Sequence, residues 1–243
     1  MGPYLGTPNT EKDSENGETD QYKWGATSMQ GWRKSQEDSH IANTSLPDGV
    51  AVFGVFDGHG GKEVSIYVKE KFCEELVKLP EFKSKQYGEA LRSCFRRMDV
   101  MMEETEGRAR LKQIQDDFGQ PDPFAGGMRA GEDESVAKFT GCTATVILIS
   151  ATHIYCANAG DSRTVLARST GEMCFPLSED HKPDNAPEKA RIEAAGGFVE
   201  ENRVNGSLNL SRSLGDFEYK GNADKDFMNQ MVTCDPEVRE VAR

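Results

Sequence analysis

Five carboxylates stand where apolar runs give way to turns: Glu37, Asp38, Asp57, Asp161 and Asp180. Asp57 is the best placed. It follows Val50-Ala51-Val52-Phe53-Gly54-Val55-Phe56, seven uncharged residues that are too short to cross a membrane and long enough for a buried strand. It leads into Gly58-His59-Gly60-Gly61, an imidazole set among three glycines. Glycine tolerates backbone shapes closed to other residues and lets a ligand approach main-chain carbonyls. Asn158-Ala159-Gly160-Asp161-Ser162-Arg163 repeats the logic, with a glycine beside a carboxylate after an apolar stretch. Taken singly, each is an ordinary turn residue. Together they describe a cluster of hard oxygen ligands, which suits Mg²⁺ or Mn²⁺ better than zinc. Four scattered histidines and no Cys-x-x-Cys pair argue against zinc. His59 is either a proton-transfer group or a packed residue at a helix start.

The elements that must position these groups can be read from period and punctuation. Trp24 to Ser28 and His40 to Ser45 are expected as short strands. Pro47-Asp48-Gly49 is a turn signal, so the runs on either side of it read as a hairpin. Val64, Val68, Phe72, Leu76 and Leu79 recur at helical spacing up to Pro80. Leu91, Phe95, Met98 and Met102 mark a second helix, continued or restarted through Leu111, Ile114 and Phe118. Residues 120–136, rich in Pro, Gly and acid, read as a surface loop. Strands resume at Thr143 to Ser150 and His153 to Asn158. A meander through Arg163 to Arg168 and Met173 to Leu177 turns at Ser169-Thr170-Gly171. Asn185 and Glu188 have capping-box spacing at the start of a short helix that Gly196-Gly197 closes. Phe198 to Val204, Leu208 to Ser211 and a segment around Glu237-Val238 follow as strands. Strands flank a helical pair without strict alternation, so the expected class is α+β. Residues 1–21, polar and short of apolar anchors, are expected to form a flexible arm before one domain over 22–243.

Composition narrows the partners. The net charge is −12, from 41 acidic and 29 basic residues, which excludes a nucleic-acid binder built on clustered Lys and Arg. Apolar residues make up 36%, enough for one core. The six cysteines form no close pairs, and no signal peptide precedes them, so they read as reduced thiols of a cytoplasmic or nuclear protein. Met1-Gly2 raises N-myristoylation, but Gly6 stands where the pattern wants Ser or Thr.

Seven segments in order resemble one family. They are Arg33-Lys34-Ser35-Gln36-Glu37-Asp38, Val55-Phe56-Asp57-Gly58-His59-Gly60-Gly61, Gly141-Cys142-Thr143-Ala144, Asn158-Ala159-Gly160-Asp161-Ser162-Arg163, Asp180-His181-Lys182-Pro183, Arg191-Ile192 with Gly196-Gly197, and Leu210-Ser211-Arg212-Ser213-Leu214-Gly215-Asp216-Phe217. From about Trp24 to Val238 the chain is similar to the metal-dependent Ser/Thr protein phosphatases of type 2C. The resemblance implies a β-sandwich of two antiparallel sheets flanked by helices, with two and at most three Mg²⁺ or Mn²⁺ ions at one end. By that similarity Asp57 bridges two metals and the Gly58 carbonyl binds one. Glu37 holds metal-bound water, with Asp38 in support, and Asp161 serves a third metal. Arg33 grips the substrate phosphate, His59 protonates the leaving group, and Arg212 belongs to a flap beside the cleft. The chemistry is sound on general grounds. Cations neutralise a phosphomonoester dianion and lower the pKa of an attacking water. A Ser or Thr alkoxide is a poor leaving group and gains from a proton donor.

The family pattern runs on into a Cys-Asp-Gly strand end and a Gly-x-x-Asp-Asn segment, and the sequence reaches Arg243 before either. The expectation is therefore a sandwich lacking its C-terminal strands, monomeric if complete and prone to self-association if truncated. Two other classes stay open beside a phosphatase acting on phosphoproteins. One is a non-catalytic phosphoprotein-binding or regulatory module, and the other a simple divalent-cation binder.

Overall fold

The computed structural model describes residues 4–118, 135–168 and 174–243. The Met1-Gly2 acylation signal, most of the 120–136 loop and the Ser169-Thr170-Gly171 turn lie outside them. The chain opens with β1 (Tyr4–Glu18) and β2 (Lys23–Arg33), then β3 (Ser39–Asn43), β4 (Ala51–Phe56) and β5 (Gly58–His59). Helices α1 (Glu63–Leu76), α2 (Pro80–Lys83), α3 (Tyr87–Glu103) and α4 (Thr105–Asp117) follow. The second half holds β6 (Gly141–Cys142), β7 (Ala144–Ile149), β8 (His153–Ala159), β9 (Val165–Ala167), β10 (Cys174–Pro176), α5 (Ala186–Ala194), β11 (Val199–Glu200), β12 (Arg203–Val204), β13 (Leu214–Gly215) and β14 (Glu237–Ala242).

The main sheet is antiparallel and five-stranded, in the order β14-β8-β7-β4-β3. Side chains alternate across it, as the two-residue period of a strand requires. On β4 one face carries Val52 and Phe56, which are fully buried with Val146 and Leu148 and packed with Ile41. The amphipathic faces of α1 and α3 close over this side through Val68, Phe72, Leu91, Phe95 and Met98. Phe72 meets Phe56 and Phe95 with ring centroids 6.1 and 5.7 Å apart. Burying each such ring contributes about 1.5–3 kcal/mol.

The opposite face carries Phe53 and His40, and here the β1–β2 hairpin lies across the sheet. Tyr22 and Trp24 set their rings 6.3 and 6.4 Å from that of Phe53, and Glu15 pairs with His40. The protein is thus α+β, with antiparallel layers of unequal size and helices outside the larger one. The hairpin corrects the expectation of a flexible arm over residues 1–21. Residues 13–18 pair in unbroken register with 23–28, and main-chain bonding needs no apolar anchors.

Other differences are local. Pro80 stops α1 but also opens α2, since a proline suits a first helical turn. A break at Glu104 separates α3 from α4. Strands β9 and β10 pair only with each other rather than extending the main sheet, and Leu208 to Ser211 contributes one bridge, Val204 to Leu208, instead of a strand. Asn185 makes no side-chain cap on α5; its amide donates to the Asp180 carbonyl, and Glu188 faces two arginines instead.

Candidate active site

Asp57 stands where β4 ends and is fixed by the backbone of a neighbour remote in sequence. The Thr143 amide donates to the Asp57 carbonyl at 2.9 Å, and the Asp57 amide donates to Thr143 Oγ1 at 3.3 Å. That hydroxyl also bonds Ser162 Oγ at 2.7 Å, which draws in the turn carrying Asp161. Beyond Asp57 the chain pairs as β5 with β6, and β6 pairs with β13. A Cβ at Gly58 would lie 2.4 Å from the Glu37 carbonyl oxygen, so only glycine lets the 33–38 segment come this close. Ser65 Oγ on α1 donates to the same carbonyl at 2.6 Å.

The segment from Arg33 to Asp38 is braced by its own side chains. Ser35 Oγ donates to Glu37 Oε1 at 2.6 Å, and Gln36 donates to Asp38 Oδ2 at 3.0 Å. Asp38 lies near enough to Asp57 for its carboxyl to act on that of Asp57. The Asp57 carboxyl is pushed up to about 6, first by desolvation, then by the charge and hydrogen bond of Asp38 and the charge of Asp161, with His59 opposing. Asp161 pairs with the Lys182 ammonium. His181 holds the turn from beneath: its amide donates to the Gly160 carbonyl at 2.9 Å, and its Nδ1 accepts from the Gly160 amide at 3.3 Å. Burial, foremost, and the nearby Arg212 charge lower the His181 imidazole to about 4, so it is neutral at physiological pH.

Carboxylates held near one another repel, and a divalent cation relieves that repulsion. Asp57, Asp38 and Asp161 therefore fit hard cations in donor type and electrostatics. They do not form a closed cage. Among the described residues, no three His, Cys, Asp or Glu side chains converge as a complete metal site would.

His59 projects from β5 and meets a carboxylate that sequence reading did not assign. Its Nε2 lies 2.7 Å from Asp216 Oδ2, a partner 157 residues away. Asp216 sits just after β13, which pairs with β6 and so lies two strands from His59. Burial works against both charges of this pair. The mutual attraction nevertheless raises the imidazole above its ordinary value and holds the Asp216 carboxyl below the carboxylate range.

The remaining expected residues fall on two sides. Arg33 ends β2, is exposed, and pairs with no carboxylate among the described residues. Arg212 is turned inward. Its Nη2 and Nε donate to Glu188 at 2.6 and 3.1 Å, and its Nη1 donates to the Asp235 carbonyl at 3.0 Å. These bonds tie α5 to the 211–235 segment. Sequence reasoning missed Asp216, Lys182 and Glu188. All three stand in stretches that it singled out, Glu188 as a capping residue, but nothing local indicates which partner each meets.

Comparison with known proteins places the chain. A family model described as "Protein phosphatase 2C" matches residues 22–243. "Probable protein phosphatase 2C 4" of Paramecium tetraurelia is 44% identical over 241 residues, covering 99% of this chain and 74% of that protein. "Probable protein phosphatase 2C 21" of Arabidopsis thaliana is 41% identical over 260 residues, covering 99% and 73%. Among solved structures, a phosphatase from a pathogenic strain of Toxoplasma gondii superposes with a TM-score of 0.64 at 22% identity, over 98% of this chain and 74% of that one. A sex determining protein of C. elegans gives 0.63 at 24%, over 96% of this chain and 48% of that one. At these identities the two structures attest the fold alone.

Proposed function

The chain belongs to the protein phosphatase 2C family, whose reaction is metal-dependent hydrolysis of phosphoserine and phosphothreonine in proteins, and from that premise we propose how its own residues divide the work. The observation that carries the reading is a group of mutually repelling carboxylates, Asp57, Asp38 and Asp161, beside an imidazole anchored on Asp216. Asp57, Asp38 and the Gly58 carbonyl would hold two divalent cations, Mg²⁺ or Mn²⁺, with Glu37 orienting water from the adjoining turn. Asp161, paired with Lys182, would serve a further, weaker ion. When bound, the ions supply charge neutralisation of the phosphate and a water of lowered pKa.

The protein's own groups do the rest. Arg33, exposed and without a carboxylate partner among the described residues, presents a planar fork of donors that matches two phosphate oxygens. Gly58 keeps the 33–38 segment against β5, which fixes the distance between that fork and the carboxylates. His59 gives its proton to the departing Ser or Thr oxygen, a contribution on the order of 10²–10⁴-fold.

The test is phosphate release from a phosphothreonine peptide with Mn²⁺, with Mg²⁺ and with chelator. Metal-dependent release, weakened in KM by Arg33→Ala, is expected. Peptide binding without turnover at any metal concentration would overturn the catalytic reading in favour of a phosphoprotein-binding module.

A further inference from the structure

We propose that Asp216 is a positioning residue for this reaction: it grips His59 at Nε2 and so makes Nδ1 the nitrogen that hands the proton to the leaving group. The inference rests on the phosphatase reading above. A carboxylate only accepts hydrogen bonds, so at 2.7 Å the Nε2 atom must carry a hydrogen in either charge state of the ring. The other nitrogen, Nδ1, is buried and has no partner within the protein. Buried polar atoms are almost always satisfied, and an orphan beside a substrate site points to a group that arrives with the ligand.

Asp216 is held too firmly to be an incidental neighbour. Its side chain is 4% exposed. The same Oδ2 accepts from Ser213 Oγ at 2.5 Å, and its amide donates to the Thr140 carbonyl at 3.0 Å. Its backbone is left-handed at φ 53°, a strained choice for a residue other than glycine. Lys220 braces the segment behind it, with Nζ 2.8 Å from the Ser213 carbonyl and 2.6 Å from Asp99 Oδ2, while Asp99 Oδ1 accepts from the Gly215 amide at 3.0 Å. Gly141 completes the arrangement. A Cβ there would lie 2.4 Å from Asp216 Oδ2 and 2.8 Å from His59 Nε2, in the space the hydrogen bond occupies.

The step balances simply. As a water oxygen bonds to phosphorus and gives a proton to solvent, the bond from phosphorus to the Ser or Thr oxygen breaks with its electron pair on that oxygen. The oxygen takes the Nδ1 proton, and the imidazolium becomes a neutral imidazole that keeps Nε2–H on Asp216. Release of the alcohol opens Nδ1 to a proton from solvent.

Three measurements on the full chain test this. The ratio of turnover on a phosphothreonine peptide to that on p-nitrophenyl phosphate, whose leaving group needs no proton, should fall on the order of 10–100-fold in Asp216→Asn. Asp216→Asn should add nothing to His59→Gln, because the two act as one unit. Nitrogen NMR of ¹⁵N-histidine-labelled protein should show Nε2 protonated in the wild type. Gly141→Ala, which wedges the pair apart without touching either charge, should reproduce the selective loss, and it keeps the test decisive if Asp216→Asn folds poorly. Equal losses on both substrates, additive effects in the double variant, or an unprotonated Nε2 would each overturn the proposal. Absence of metal-dependent turnover in the wild type would instead sink the phosphatase reading, and the NMR result would still decide whether Asp216 holds Nε2.

Discussion

Glu188→Gln should cost this protein a large share of its stability, although Glu188 touches neither Asp57 nor His59. The carboxylate is 2% exposed and accepts from Arg212 at 2.6 and 3.1 Å, from Arg191 Nη1 at 2.7 Å and from Ser211 Oγ at 2.8 Å. Burial alone would push its pKa up. The hydrogen bond from Arg212 and the charges of both arginines outweigh that and hold it at about 2, against an ordinary 4.5. The sign follows: stability is fully present above pH 4.5 and drains as pH falls toward 2. The difference is worth about 3 kcal/mol. Glutamine keeps the shape but turns an amide donor toward two guanidinium groups that are only 11% and 19% exposed. Breaking a buried pair in this way costs about 3–5 kcal/mol, in agreement with the linkage figure and comparable to a third of a typical folding free energy. Urea unfolding at pH 7 measures it, and the acid slope between pH 4.5 and 3 should flatten in the variant. A loss below about 1 kcal/mol would refute the reasoning, because it would mean that water already serves both arginines. Arg212→Met approaches the same network from the other side. If Arg212 is the tie described here, stability falls more than turnover does; a substrate-flap residue would show the reverse.

Asp57→Asn should lose tight Mn²⁺ binding in calorimetry and yet melt higher than the wild type in chelator. The Asp57 carboxyl is raised to about 6, so below its ordinary 3.8 it is neutral folded or unfolded and costs nothing, and stability is lost as pH rises from 3.8 through 6 because the folded chain must then bear the charge. An unchanged Mn²⁺ affinity would contradict the assignment. His181→Asn keeps an acceptor near the Gly160 amide but cannot titrate. The wild type should lose about 3 kcal/mol as pH falls from 6.5 toward the His181 value of about 4, because the unfolded chain takes up a proton that the folded one refuses. The variant should show a flatter dependence over the same interval by thermal melts, and an identical slope would rule His181 out as its source.

The parts of the site that could be read in the sequence are those built from consecutive residues. An uncharged run ending on Asp57, glycines around His59 and the helical spacing from Val64 correctly marked a buried strand feeding a turn and a helix. The spacing of Val68, Phe72, Leu91 and Phe95 gave the helical face that closes the core. The β1–β2 hairpin escaped because residues 4–18 carry no apolar alternation; their order comes from main-chain pairing and a few ring contacts at Tyr22 and Trp24. Glu188 was misread because the spacing from Asn185 fits a capping box, while two buried guanidinium groups offer a stronger partner than a backbone amide. Lys182 on Asp161 and Asp216 on His59 join residues 21 and 157 apart, and no local period encodes such distances.

Those long-range ties converge on one helix. Arg92, Arg96 and Asp99 lie on a single side of α3, at spacings that return to the same face. Arg92 reaches Asp235 at 2.8 Å and the Pro236 carbonyl at 3.2 Å, Arg96 lies 4.5 Å over the Phe227 ring, and Asp99 meets Gly215 and Lys220. The segment from Arg212 to Pro236 has almost no regular structure of its own, so this face, with Glu188 on α5, decides where it sits. Asp216 belongs to that segment, and His59 is oriented through Asp216. The placement of the proton donor thus depends on a helix whose residues never approach the phosphate. Loosening α3 at Asp99 would blur the His59 geometry before it unfolded the core, because Gly215 and Lys220 would lose their anchor while Phe72, Phe95 and Met98 stayed packed.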